Sequence, residues 1–217
     1  MAEVTEHAPS KRRTRGRPLA DASVGPDVIL RAARRTFAKR GYDATSVREV
    51  ARELGVDAAL IAHHFGTKET LWLAVVEQIV DLATPMFDAL RALRTSSLPH
   101  RDRVRRALEL CVDHEFDEPD IGMFFSTAAT EVGGRLDRLQ ERLVRPYHDV
   151  MFPLLSDAVQ AGAIRAVDPN VLFFMIASAI GTTVSYSHMM LAFTSLPTQR
   201  DAFKQAVLAA ALNIIGD

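Results

Sequence analysis

Apolar residues recur at helical spacing along most of the chain. Between residues 27 and 40, Ile29, Ala32, Ala33, Phe37 and Ala38 share one side, while Arg31, Arg34, Arg35 and Lys39 fall mostly on the other. This predicts an amphipathic helix stopped by Gly41. Thr45 and Ser46 are both suited to cap a second helix carrying Val47, Val50, Ala51 and Leu54, which ends at Gly55. Asp57 can cap a third, with Leu60, Ile61 and Phe65 on its apolar side. Two short helices about a glycine turn predict a helix-turn-helix, and Phe37, Val47, Val50, Ile61 and Phe65 are its expected core. That core is too small to stand well alone. A fourth helix, capped by Thr67 and carrying Trp72, Val75, Val76, Ile79 and Val80, is therefore expected to brace it, with a kink or stop at Pro85.

Further on, TSSLPH at 95–100 and DEPD at 117–120 are breaks around a helix over 101–115, and a segment GMFFSTAATEV follows. After Gly133 and Gly134 a long run through Leu136, Leu139, Leu143, Val150, Leu154 and Leu155 carries Pro146 and Pro153, which predicts a kink or a split helix. Residues 169–199 hold no Asp, Glu, Lys or Arg, and 171–193 is long enough to cross a bilayer. Its Ser, Thr and His content and the lack of basic flanks favour burial within the protein over a membrane span. The last helix, over 199–215, is rich in alanine. No period-two pattern persists, so the chain is expected to be all-α.

Charge divides the chain. Residues 1–70 hold 13 Lys and Arg against 9 Asp and Glu, and residues 71–217 hold 13 against 18. A basic head on an acidic body suits a nucleic-acid reader whose other half does something else. Lys11, Arg12, Arg13, Arg15 and Arg17 lie among Pro, Gly and Ser, so residues 1–25 are expected to form a disordered arm without a partner. Arg15-Gly16-Arg17-Pro18 resembles an AT-hook core suited to a narrow A·T minor groove. The single cysteine, Cys111, rules out an internal disulfide framework and suits a reduced cytoplasm; its place between Leu110 and Val112 reads as small core rather than redox switch. The N-terminus lacks the apolar run of a secretory signal.

The segment GYDATSVREVARELGVDAALIAHHFGTKETLW resembles the DNA-binding segment of TetR-type transcriptional regulators, from the glycine-valine turn through HHF to the lysine-glutamate pair. The resemblance covers residues 27–75; Ala62 stands where the family most often has tyrosine, and Leu60 where threonine is frequent. It implies an all-α fold in which a three-helix head over 26–70 binds DNA and a larger helical body over 71–217 binds an effector and dimerises. By the same resemblance, the homodimer would form through residues 170–192 and 199–215, and an effector would shift the fourth helix and respace the two recognition helices.

On this reading Arg12, Arg13, Arg15, Arg17, Thr45, Ser46 and Lys68 hold phosphates or the minor groove. Asp57, Ala58, Ala59 and Leu60, with His63 and His64, face the bases, assisted by Arg48. Phe87, Phe124, Phe125, Tyr147, Met151, Phe174 and Met175, with His148, Ser178 and Thr182, are the candidate lining of an apolar effector cavity. Adjacent His63 and His64 point about 100 degrees apart on a helix and do not make a metal pair. No catalytic, nucleotide-cradling or CxxC motif occurs, so neither an enzyme nor a cofactor is expected.

The expected function is a sequence-specific repressor released from a palindromic double-stranded operator by a small apolar or amphipathic effector, acting in the bacterial cytoplasm at the nucleoid. The alternative is an architectural DNA-binding protein without a ligand; a membrane-anchored interaction protein is a third possibility.

Overall fold

The structure, a computed structural model, describes residues 24–216. Arg12, Arg13, Arg15 and Arg17 lie outside the described residues, as does all of the expected arm except Val24 and Gly25. Val24 packs against the core, and Gly25 begins the first helix.

The described residues are helical without strands. The head comprises α1 (Pro26–Arg40), α2 (Val47–Leu54) and α3 (Ala58–Phe65). Each boundary has a local cause. Pro26 occupies the first turn of α1, where its missing N–H costs nothing, and Gly41 closes the helix at φ 75°. Of the expected head core, Phe37, Val50 and Ile61 are buried, and Val47 and Phe65 are half-buried.

The brace is α4 (Lys68–Arg94), capped by Thr67 with Thr70. It buries Trp72, Val75, Ile79, Phe87 and Leu90, and Trp72 meets Phe124 at 5.9 Å between ring centroids. Of the kink or stop expected at Pro85, the stop does not occur. Pro85 sits on the exposed side, so the carbonyl it leaves unpaired faces water, while Ala83 and Phe87 pin the opposite side into the core.

The body continues with α5 (His100–Asp117), α6 (Asp120–Ala128) and α7 (Gly134–Leu139). One wide π turn at Gln140–Val144 leads into α8 (Arg145–Gln160). The irregularity is thus a π turn just before Pro146, which takes the first turn of α8, and Pro153 lies within α8 without ending it.

The charge-free stretch is not one long helix. It forms α9 (Pro169–Ser185), capped by the Asp168 carboxylate on the Asn170 and Val171 amides, then the single turn α10 (Ser187–Met190) and a 3-10 turn at Leu196–Thr198. The length expected of a bilayer span at 171–193 is therefore broken at Tyr186. Among the described residues one helix, α4, is long and apolar enough to cross a membrane, and eight of its residues are buried in the core. The chain closes with α11 (Arg200–Ile215), packed on α5 and α9.

Helix α6 sits between the head and the rest of the body. Its outer side lies along α1 and its inner side along α9. Gly122 makes the inner approach possible: a Cβ there would stand 2.6 Å from Ser185 Oγ and 2.7 Å from the Gly181 carbonyl oxygen.

Candidate functional site

The helix-turn-helix is built by short-range hydrogen bonds. The Glu49 amide donates to Ser46 Oγ at 3.3 Å, and the Ser46 amide donates to Glu49 Oε2 at 2.8 Å, a reciprocal cap on α2. The Ser46 amide and, at 3.1 Å, the Ser46 hydroxyl both donate to this carboxylate and hold it below its usual range. Gly55, at φ 68° and ψ 28°, supplies the left-handed residue that reverses the chain. Asp57 then caps α3 by accepting from the Ala59 amide at 2.8 Å.

Helix α3 buries Ile61 and exposes Ala59, Ala62, His63 and His64. Ala58 and Leu60 are half-buried against the core. Arg48 and Ser46 are exposed beside them. At the start of α4, the Lys68 ammonium lies 4.1 Å from the Tyr42 ring centroid and donates to the Asp43 carbonyl at 3.3 Å. The Arg135 guanidinium from α7 also lies over that ring, at 4.0 Å. Burial pushes the Tyr42 hydroxyl above its ordinary range, with Arg135 opposing. Tyr42 thus ties the basic end of α4 to the body.

Within the body a cavity of about 220 Å³ opens between α4, α5, α6, α8 and α9. Ile79, Met86 and Phe87 come from α4, and Ile121, Phe125 and Ser126 from α6. Tyr147 of α8 and Phe173, Ser178 and Thr182 of α9 complete most of the wall. Phe87 stacks on Tyr147 at 5.8 Å, and Tyr147 meets Phe173 edge-on at 5.1 Å.

Three polar groups enter from α5. The Tyr147 hydroxyl donates to Cys111 Sγ at 3.1 Å. Burial pushes the Cys111 thiol up to about 12 and the Tyr147 hydroxyl well above its usual value, so both stay protonated at neutral pH. Burial lowers the His114 pKa, against the pull of Glu118 and Asp117. Glu115 lacks any hydrogen-bond partner at Oε2, and burial raises its carboxyl to about 7.

Cavity and head share α6. On its outer side Thr127 Oγ1 donates to the Ala38 carbonyl at 2.9 Å, Arg35 Nε donates to Asp120 at 2.8 Å, and the buried Arg34 pairs with Glu118.

Residues 29–75, which span most of α1 through the first turns of α4, match the family described as bacterial regulatory proteins, tetR family. The HTH-type transcriptional regulator RutR of Escherichia coli (strain K12) is 24% identical over 194 residues, 88% of each chain. The head of this chain matches the TetR family.

The TetR-family fold extends through the body. The crystal structure of PfmR from Thermus thermophilus superposes with a TM-score of 0.62 at 18% identity, covering 90% of this chain and 97% of that one. The transcriptional regulator FadR from Bacillus subtilis, crystallised with stearoyl-CoA, gives a TM-score of 0.59 at 16% identity, covering 86% and 97%.

Among the described residues, two of the expected DNA-facing positions are placed differently from expectation. Thr45 is 2% exposed and donates to the Gly41 carbonyl at 2.7 Å, so its hydroxyl is committed to the turn and Ser46 is the cap. Half-buried Leu60 belongs as much to the head core as to the reading surface. Of the expected cavity residues, Phe87, Phe125, Tyr147, Phe174, Ser178 and Thr182 line it. Four do not. Phe124 and Met151 point into packed core, Met175 faces outward, and His148 stacks on Phe152 with Nε2 3.0 Å from Asn170 Oδ1. Sequence reasoning missed His114 and Glu115. The available signal was Glu115 at the helical phase of Leu108 and Cys111, a carboxylate on the buried stripe of α5.

Proposed function

We propose that this TetR-family transcriptional regulator is a homodimeric repressor that leaves a palindromic operator when a small amphipathic effector fills the body cavity. The supporting observation is the double use of α6. Ile121, Gly122, Phe125 and Ser126 face the cavity, while Arg34, Arg35 and Ala38 of the head hold the opposite side of α6 and the turn before it. An effector that wedges α6 outward disturbs the seating of α1, and with it the angle at which α3 meets DNA. Thermodynamically, the effector must bind the DNA-incompetent arrangement better than the DNA-competent one.

In this reading residues 26–70 are the DNA-binding head and 71–217 the effector-binding and dimerising body. Ala59, His63, His64 and Arg48 read bases, Asp57 and Ala58 stand at the groove edge, and Ser46 and Lys68 hold phosphates. Dimerisation through α9 and α11 is supported by exposed Val171 and Met175 on α9 and by exposed Ala202, Ala206, Ala209 and Ala210 on α11. An apolar, charge-poor pair of helices suits the centre of an interface. Two-fold symmetry would pair two α3 helices with two half-sites. The protein would act in the bacterial cytoplasm.

Selection from random duplexes by the full-length protein, at roughly physiological salt because basic arms inflate binding at low salt, tests this. Recovery of one palindrome, bound by a dimer, is expected. A·T-rich sequence without symmetry would instead mark an architectural protein.

A further inference from the structure

The cavity wall contains one group that ordinary packing does not account for. Glu115 Oε2 is cut off from solvent and accepts no hydrogen bond. Its other oxygen, Oε1, rests against the bare backbone of Gly181, 3.7 Å from where a Cβ would stand. A carboxyl oxygen buried without a donor costs free energy that an apolar residue of similar size would not.

Among the described residues none that lines the cavity is Lys or Arg. The other titratable groups around Glu115 are Cys111 and His114 on its own helix and Tyr147 on α8. Cys111 and Tyr147 are held protonated and neutral, and their mutual hydrogen bond occupies the Tyr147 proton. Burial disfavours the charged form of His114. The wall therefore supplies no cation to the carboxyl. It offers the Glu115 carboxyl as its anionic acceptor at the α5 side and aromatic faces opposite, from Phe87, Tyr147 and Phe173.

We propose that the cavity binds an amphipathic cation, a protonated amine with an apolar tail, whose N–H donates to Glu115 while the tail lies among Phe87, Tyr147 and Phe173. A charge-assisted hydrogen bond satisfies the orphan oxygen, and the ammonium replaces the proton that Glu115 otherwise keeps. Nearby ring faces favour the same sign of charge. A carboxylate head in this position would meet a like charge with no Lys or Arg to offset it. This choice of ligand class rests on the cavity being the effector site.

The test is calorimetric titration of the full-length, DNA-free protein near pH 7 with octylamine, octanol and octanoate, three probes of equal chain length. Octylamine is expected to bind at least about tenfold tighter than the other two, with net proton release from Glu115 that is visible across buffers of different ionisation enthalpy. Glu115→Gln is expected to remove most of that preference and the proton release. Equal or tighter binding of octanol or octanoate overturns the proposal, as does an amine preference that survives Glu115→Gln, or failure of all three to bind. Should the variant not fold, the wild-type ranking and proton release decide alone. DNA affinity, measured separately, distinguishes the two readings: octylamine that binds without altering DNA affinity upholds the ligand class and removes the effector role. An octanoate that binds best and releases DNA does the reverse.

Discussion

Thr127 of α6 donates its hydroxyl proton toward the carbonyl oxygen of Ala38 in α1, 2.9 Å away across 89 residues of sequence. The same hydroxyl lies 3.0 Å from the Met123 carbonyl, its own helix's alternative acceptor. One proton thus sits between holding the head and returning to its helix. Thr127→Val keeps the shape and removes the donor. A loss of about 1–2 kcal/mol is expected, which in a chain of this size lowers Tm by roughly 2–8 °C. The effector response should shrink more than DNA binding itself. Thermal melts, with DNA affinity measured with and without effector, check both.

Gly122 faces Gly181 so closely that an added Cβ would stand 2.7 Å from a backbone oxygen. Backbone cannot rotate away as a side chain can. Gly122→Ala should therefore push α6 away from α9 and toward α1, at a cost of about 1–3 kcal/mol. Lower operator affinity without any effector is the expected outcome, read by titration of labelled DNA.

Glu115 gives a pH dependence with a definite sign. Burial raises its carboxyl from an ordinary 4.5 to about 7 in the folded protein. Between those values the folded chain holds a proton that the unfolded chain has lost, so stability falls as pH rises through that window and is level above it. Glu115→Gln removes the slope and should gain up to about 3 kcal/mol relative to wild type above pH 7, with no gain near pH 4. His114, whose pKa is lowered by burial, acts oppositely at the acid end and cancels in the comparison. Denaturant melts of both proteins across pH 4–8 test it; parallel curves would refute the assignment.

Lys68 lies 4.1 Å over the Tyr42 ring at the N-terminus of α4, and its proposed role is to hold a phosphate. Lys68→Ala should weaken binding about equally for operator and non-operator DNA and reduce the slope of log affinity against log salt by about 1. A loss confined to the operator would contradict a phosphate role.

Met175 is 53% exposed on the face of α9 turned away from the cavity. In the dimer proposed above Met175 lies in the apolar interface, so Met175→Glu should leave the fold intact and yield a monomer in sedimentation, because a charge buried there goes unpaired.

The head is legible in the chain alone. Ser46 with Glu49, Gly55 with its left-handed turn and Asp57 on the Ala59 amide are contacts between near neighbours, so pattern and capping rules suffice to place them. The all-helical architecture and the apolar character of the body follow from the same periodicity. Which residues of α9 face the cavity does not. Phe173, Phe174 and Met175 are adjacent on a helix apolar all round, and such a helix has no phase to read. Only the packing of its neighbours turns Phe173 and Phe174 toward the cavity and Met175 away. The same packing brought Glu115 to Gly181 and Thr127 to Ala38, because the rotation and offset of helices far apart in sequence are fixed by how their side chains interlock, not by the periodicity of either helix.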